Sequence, residues 1–173
     1  MKKMLLLIVV FSFGFSGTFY VELGQSPQYT VNDVTTDLDL GGLTIGYNHG
    51  FFQKDNWSVS VGGSYTLNPI TGVRNNALLR FVAPNSEAGF ISAYLLPVYQ
   101  IGEKFFAWAS FGINKGLYDL KDHDNGNTLG YGIHVKCNDT YGVGFGFTNN
   151  TVEFGGVDFD FNRTSIFVTA KIN

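Results

Sequence analysis

The sequence has few of the features on which disulfide-bonded or nucleic-acid-binding proteins depend. It contains one cysteine, Cys137, which excludes an internal disulfide and lies too far from the N-terminus to anchor a lipoprotein. Charged residues make up 14% of the chain, well below the roughly 25% of ordinary soluble domains. The net charge is −3 and there is no basic run, so nothing would displace counterions from phosphates. Nucleic acid is therefore excluded as a partner.

The N-terminal apolar run is too short for a membrane-spanning helix, which needs roughly 20 apolar residues. This run covers residues 5–11, follows Lys2 and Lys3, and precedes small residues at positions 14 and 16. A basic start, a short apolar core and small residues before a cleavage point are typical of an export signal. We predict a signal peptide over residues 1–16 and a single domain over residues 17–173.

Glycine (22 residues) and aromatic residues (16% of the chain) are abundant, and they recur in a period-two alternation. Such alternation is the mark of β-strands with two unlike faces. Trp57, Val59 and Val61 share one face of a predicted strand, whereas Ser58 and Ser60 take the other. The same alternation recurs over residues 18–25, 129–137, 141–148 and 166–172. The sequence therefore predicts an all-β fold.

The character of the two faces indicates which of them points outward. The polar face carries mostly glycine, serine and threonine, whereas a soluble barrel needs a lysine- and glutamate-rich surface. The apolar face carries large side chains such as Trp57, Tyr131 and Phe145, and the lumen of an eight-stranded barrel barely holds its own side chains. We expect large side chains outside and small ones inside. The outer face then lies in lipid, where only a closed barrel satisfies every backbone group of a sheet.

These patterns predict an eight-stranded antiparallel up-and-down transmembrane β-barrel. Its strands fall near residues 18–26, 37–49, 56–67, 88–101, 104–118, 128–138, 140–154 and 160–172. Tight turns are expected at 102–104 and 138–139 and a moderate turn near 50–56, with longer polar connections at 27–36, 68–87, 119–127 and 155–160. Short turns at one end and longer loops at the other are typical of outer-membrane barrels.

Two stretches complicate this prediction. Residues 73–83 are also strand-like and would give nine spanning strands, but we interpret them as an extracellular extension of the second hairpin. The predicted fourth and fifth strands are apolar on both faces. They predict a dry, tightly packed sector of the interior, which argues against a water-filled pore.

Four segments resemble the OmpX/Ail family of small outer-membrane proteins, which includes the phage-encoded Lom type. They are Gly41-Gly-Leu-Thr-Ile-Gly-Tyr47, Leu96-Pro-Val-Tyr-Gln-Ile101, Tyr131-Gly-Ile-His-Val-Lys-Cys-Asn138 and residues 140–149. The resemblance implies the outer membrane of a Gram-negative bacterium, the outer-membrane insertion machinery as a partner, and a loop-based role in adhesion or envelope integrity. The family ends on an aromatic residue, whereas this chain ends on Asn173, which leaves a phage or otherwise divergent origin open.

Charged and polar residues are expected in the lumen, where they form a network that holds the strands in register. The predicted members are Glu22, His134, Lys136, Arg163 and Lys171. The alternative is catalysis, as in a lipid A acyltransferase or deacylase, which would need a serine and a histidine near the outer leaflet. Ser64 lies toward the outer side, but His134 lies in the other half of the barrel. We predict no catalytic residue and no enzyme.

The polar connection at 119–127 carries the candidate contact residues Asp119, Asp122, His123 and Asp124. The spacing of Asp122, Asp124 and Gly126 resembles a calcium loop, but Ile133 stands where the bidentate glutamate belongs. We interpret the segment as a hairpin tip with a type I′ turn at residues 125–126. No metal and no cofactor are predicted.

The functional prediction is a non-enzymatic, monomeric barrel embedded in membrane lipid. Its loops 68–87 and 119–127 are expected to contact lipopolysaccharide or a host or environmental surface partner. The alternatives are the lipid A-modifying enzyme and a small channel.

Overall fold

The computed structural model describes residues 17–38, 41–71 and 87–172. The predicted signal peptide (1–16) and the strand-like stretch 73–83 lie outside these residues. Nine strands are present in the described ranges: β1 (Gly17–Val31), β2 (Val34–Asp37), β3 (Leu43–Lys54), β4 (Trp57–Asn68), β5 (Ala88–Gln100), β6 (Phe105–Tyr118), β7 (Gly126–Lys136), β8 (Tyr141–Phe154) and β9 (Val157–Ile172). None of the described segments forms a helix with the length and hydropathy needed to cross a bilayer.

The strands form one closed antiparallel barrel. The order β1-β3-β4-β5-β6-β7-β8-β9 follows the chain, and β1 pairs with β9 from Gly17↔Ile172 to Thr30↔Asp160. The short strand β2 pairs with the far end of β1 and prolongs it as a hairpin. The barrel wall therefore consists of eight strands, because β2 only prolongs the hairpin of β1. This confirms the predicted fold class.

The two ends of the barrel differ. The turn end carries Gly17, Ile172 and the turns 55–56, 101–104 and 137–140, whereas the loop end carries the connections 32–33, 38–42, 69–87, 119–125 and 155–156. Between the two ends, large apolar side chains project outward from all eight strands of the barrel wall. Members of this belt include Phe19, Ile45, Trp57, Tyr65, Leu95, Phe111, Tyr131, Phe145 and Val168, all between 38% and 63% exposed. An outer face this apolar is suited to lipid.

Three predicted connections are shorter than the sequence indicated. β1 continues to Val31 before a two-residue turn, β3 and β4 are joined at residues 55–56, and β8 and β9 at 155–156. At the loop end, polar pairs extend β1 and β9 beyond the belt, as where Thr30 bonds Thr35 at 2.9 Å and Asp158 lies opposite Glu153. Because such pairs lack apolar alternation, the sequence prediction placed the ends of these two strands too far from the turns.

The expectation of a lumen filled by small side chains is wrong, because large rings such as Phe161 at the loop end and Phe167 in the turn half point inward. Glycines on β7 and β8 accommodate the rings of the turn half. A Cβ atom added at Gly144 would overlap the Phe167 ring, and one at Gly132 or Gly146 would overlap Trp108. Glycines on β7 and β8 therefore create the space that large rings occupy.

Candidate functional site

An apolar cluster closes the lumen at the loop end. Its central rings belong to Tyr29, Phe90 and Phe161, with centroid separations of 4.8 Å (Tyr29–Phe161) and 5.3 Å (Phe90–Phe161). The loop-end plug, as we name it, comprises Tyr29, Val31, Leu38, Ile70, Ala88, Phe90, Leu120, Val152, Phe159 and Phe161, none more than 8% exposed. The dry part of the interior is therefore a layer drawn from several strands. It is not the predicted sector of the fourth and fifth strands, because Leu96 and Trp108 of those strands line a cavity instead.

The connection 119–125 folds over this plug. Leu120 is 1% exposed, and His123 is 8% exposed between the rings of Phe154 and Phe159, at 5.0 and 5.3 Å. Burial lowers the pKa of His123, while Asp122 and Asp124 oppose the shift. The interpretation of His123 as a surface contact residue is therefore wrong, because its ring is an inner part of the loop.

The three aspartates of this connection remain exposed. The Asp119 carboxylate accepts a hydrogen bond from the Glu87 amide at 2.8 Å, and the Asp124 amide donates to the Glu153 carbonyl at 2.8 Å. The predicted type I′ turn at residues 125–126 is wrong, because neither residue has a positive φ. Within the described residues, no three His, Cys, Asp or Glu side chains are grouped to hold a metal ion.

The predicted lumen network is divided into two separate groups. At mid-lumen, Arg163 Nε donates to Glu22 Oε1 at 3.0 Å, and both residues are buried. One layer nearer the turn end, the hydroxyls of Tyr20 and Tyr94 bond at 2.8 Å, and Tyr94 donates to Asn48 Oδ1 at 2.9 Å. The sequence prediction omitted these three polar residues, although the alternation already placed Tyr20 on the face of Glu22.

The other predicted members lie toward the turn end. His134 Nε2 bonds Thr169 Oγ1 at 2.9 Å, and its ring is stacked with Phe167 at 6.1 Å. Lys136 Nζ lies 2.7 Å from Asp139 Oδ1 at the rim. The hydrogen bond and charge of Lys136 hold the pKa of the exposed Asp139 below its usual value. Lys171 also lines this rim.

A cavity of about 980 Å³ occupies the lumen on the turn side of the Glu22–Arg163 pair. Its lining reaches the rim residues Lys136 and Lys171 at the turn end. The lumen is therefore open at one end and closed by the loop-end plug at the other.

Comparison by sequence identifies no relative, since no known family and no curated protein matches the chain. Solved structures do match. Neisserial surface protein A has a TM-score of 0.58 at 13% identity, covering 92% of this chain and 99% of its own. Ail, the attachment invasion locus protein of Yersinia pestis, has a TM-score of 0.53 at 11% identity, covering 90% and 98%. The structure of Ail in a phospholipid nanodisc has a TM-score of 0.50 at 14% identity, covering 90% of this chain and 99% of its own. The chain therefore has the fold of the small eight-stranded outer-membrane barrels of the OmpX/Ail type.

Proposed function

We propose that this chain is a non-enzymatic barrel of a Gram-negative outer membrane, exported by residues 1–16, whose loop end contacts lipopolysaccharide. The observation that carries the proposal is the apolar belt around a closed hydrogen-bonded barrel. Such a surface is stable in a bilayer and aggregates in water. Short turns of outer-membrane barrels face the periplasm, so the loop end is assigned to the cell exterior.

The charge of the loop end defines the kind of contact it can make. Its described residues include nine carboxylates and two lysines: Asp33, Asp37, Glu87, Asp119, Asp122, Asp124, Glu153, Asp158 and Asp160, with Lys115 and Lys121. Lipopolysaccharide phosphates are anionic, so most of this surface repels them directly. Divalent cations that bridge the carboxylates to the phosphates would reverse the interaction. Lys115 projects outward at the border of the belt and is placed to pair with a phosphate directly.

The proposal is tested with the folded protein in phospholipid nanodiscs prepared with and without lipopolysaccharide. We expect lipopolysaccharide with Mg²⁺ to raise the thermal unfolding midpoint, because a ligand that binds only the folded state stabilises it. Chelation with EDTA should remove most of this gain, and Asp122→Asn/Asp124→Asn should reduce it. The matched control is Glu103→Gln/Asp139→Asn, which removes two carboxylates at the turn end. A midpoint that does not respond to lipopolysaccharide would contradict the proposal.

A lipid A-modifying enzyme is not favoured by the positions of the histidines. His134 bonds the Thr169 hydroxyl and faces the lumen in the turn half, and His123 is enclosed between the rings of Phe154 and Phe159. The outer leaflet lies at the opposite end of the barrel and outside its wall. Mass spectra of lipid A from cells with and without the protein should be identical. A new or missing acyl chain would replace our proposal with the enzymatic one.

A further inference from the structure

The cavity in the turn half of the lumen has the dimensions of a ligand site. Its volume of about 980 Å³ is near the upper end of the roughly 300–1,000 Å³ that small-molecule sites occupy. The Glu22–Arg163 ion pair closes its inner end, and the opening lies between residues such as Gln53, Lys136 and Lys171. Within the part of the chain that the structure describes, a solute can therefore enter from the turn end only.

One wall of this cavity is aromatic. Phe106, Trp108 and Phe167 line it, and all three are only partly buried. Trp108 lies against bare backbone of β7 and β8 and Phe167 against that of β8, since a Cβ at Gly132 or Gly146 would overlap Trp108 and one at Gly144 would overlap Phe167. The rings also pack on one another through His134, with centroids 5.8 Å apart for Phe106–His134, 6.1 Å for His134–Phe167 and 5.6 Å for Phe167–Trp108. The cavity therefore meets the exposed parts of a continuous aromatic cluster.

Another part of the wall carries hydroxyl groups, and the charges inside the rim cancel. Ser58, Ser60 and Ser64 line it from β4. Glu22 and Arg163 neutralise each other through their 3.0 Å contact. A ligand inside the rim therefore meets both aromatic surface and hydrogen-bonding hydroxyls.

We propose that this cavity binds a neutral saccharide of one or two rings. The C–H face of a sugar ring packs against the electron-rich face of an aromatic side chain, and sugar hydroxyls pair with serine hydroxyls, which both donate and accept. A charged ligand would lose its hydration without gaining a counter-charge. An alkyl chain would leave the serine hydroxyls unpaired. This site is independent of the proposed lipopolysaccharide contact, which lies at the loop end.

Tryptophan fluorescence gives a direct test, because the chain has two tryptophans and only Trp108 faces the cavity. In a Trp57→Phe background, Trp108 is the single reporter. The protein is placed in phospholipid nanodiscs free of glycoside detergents and titrated with N-acetylglucosamine and with maltose. We expect a saturable change in Trp108 emission with at least one of the two sugars.

Two further substitutions on β4 locate the site. Ser60→Phe places a ring inside the cavity and should abolish the response. Val61→Phe adds the same ring to the lipid-facing side, where Val61 is 48% exposed, and should leave the response intact. A heat-shift gel verifies that each variant is folded, and Ser58→Leu serves the same purpose should Ser60→Phe fail to fold.

Several results would overturn the proposal. One is an unchanged emission at about 100 mM of both sugars, a hundredfold above a millimolar Kd. A sugar response that survives in folded Ser60→Phe would place the binding elsewhere. A response to hexanol without one to either sugar would identify the cavity as a site for alkyl chains.

Discussion

At the scale of single residues, the Glu22–Arg163 pair is the principal charged interaction of the described lumen. Its side chains are 11% and 6% exposed, so neither charge is well hydrated. Removing one partner of such a buried pair leaves the other uncompensated, which costs about 3–5 kcal/mol. Replacing both with apolar groups avoids that cost. The pair is therefore expected to behave as a unit in mutagenesis.

We expect Glu22→Gln to lower the free energy of unfolding by about 3 kcal/mol, whereas Glu22→Leu/Arg163→Met recovers most of the loss. Urea unfolding of the protein reconstituted in lipid vesicles measures both effects. Lys136→Gln provides a control, because its partner Asp139 lies at the exposed rim and such pairs contribute little. If the double variant were as unstable as Glu22→Gln, the ion pair itself would be a net source of stability.

His123 makes stability depend on pH. Burial between Phe154 and Phe159 lowers its pKa in the folded protein, so the unfolded chain binds the proton more tightly. The contribution of His123 to stability is therefore complete above the unfolded value of about 6.5. It is lost progressively as the pH falls below that value toward the folded pKa.

His123→Phe should remove this pH dependence. Both ring nitrogens of His123 are buried without a hydrogen-bond partner among the described residues, so a phenyl ring suits the position. Unfolding midpoints of the two proteins between pH 8 and pH 5 should diverge, with the wild type losing more stability in acid. Parallel curves would show that His123 does not titrate in this range. The contributions of other titrating groups to the pH dependence are the same in both proteins and cancel in the difference between their midpoints.

At the scale of strands, glycines on β7 and β8 and aromatic rings on neighbouring strands form complementary pairs. Gly144 lies opposite Phe167 in the β8–β9 register, and a Cβ at Gly144 would overlap the ring. Gly144→Ala should therefore cost about 1–3 kcal/mol through overpacking. In combination with Phe167→Ala the two costs should be less than additive, since the smaller side chain vacates the space. Urea unfolding in vesicles gives the double-mutant cycle.

Gly50→Ala is the matched control for this pair. A Cβ at Gly50 meets only Ser60 Oγ at an ordinary distance of 3.8 Å. Its substitution should change stability by less than about 1 kcal/mol. Equal losses of unfolding free energy for Gly50→Ala and Gly144→Ala would indicate that the strands tolerate alanine poorly at any glycine. That result would refute the complementary pairing.

The strands themselves could be predicted because alternation reports directly on two unlike faces. The loop-end plug could not be predicted from this alternation. A bulge between Gln25 and Gln28, with Ser26 at a φ of 44°, exchanges the inward-facing and outward-facing positions in the rest of β1. Tyr29 and Val31 consequently point inward, although the alternation from Phe19 onward would place odd-numbered residues outside. The fit between rings and glycines also depends on register across strands, which a single sequence does not contain.

At the scale of the whole molecule, the barrel has an open cavity at one end and an apolar barrier at the other. Phe161 contacts both Tyr29 and Phe90 within that barrier, and the Glu22–Arg163 pair lies beneath it. An ion crossing the lumen would have to pass both layers without its hydration shell. The alternative of a small channel is therefore disfavoured, because the path is blocked in the loop half.

Planar-bilayer recordings should accordingly show no discrete conductance steps for the wild-type protein. Tyr29→Ala/Phe90→Ala/Phe161→Ala removes the rings of the loop-end plug and should introduce such steps. The matched control, Phe111→Ala/Tyr131→Ala/Phe145→Ala, removes three rings from the lipid-facing belt and should show no conductance steps. A heat-shift gel identifies the folded fraction, and Phe161→Ala alone replaces the triple variant if the latter does not fold. Steps of similar size in the wild type would show that ions pass the plug, and the closed-lumen interpretation would then be wrong.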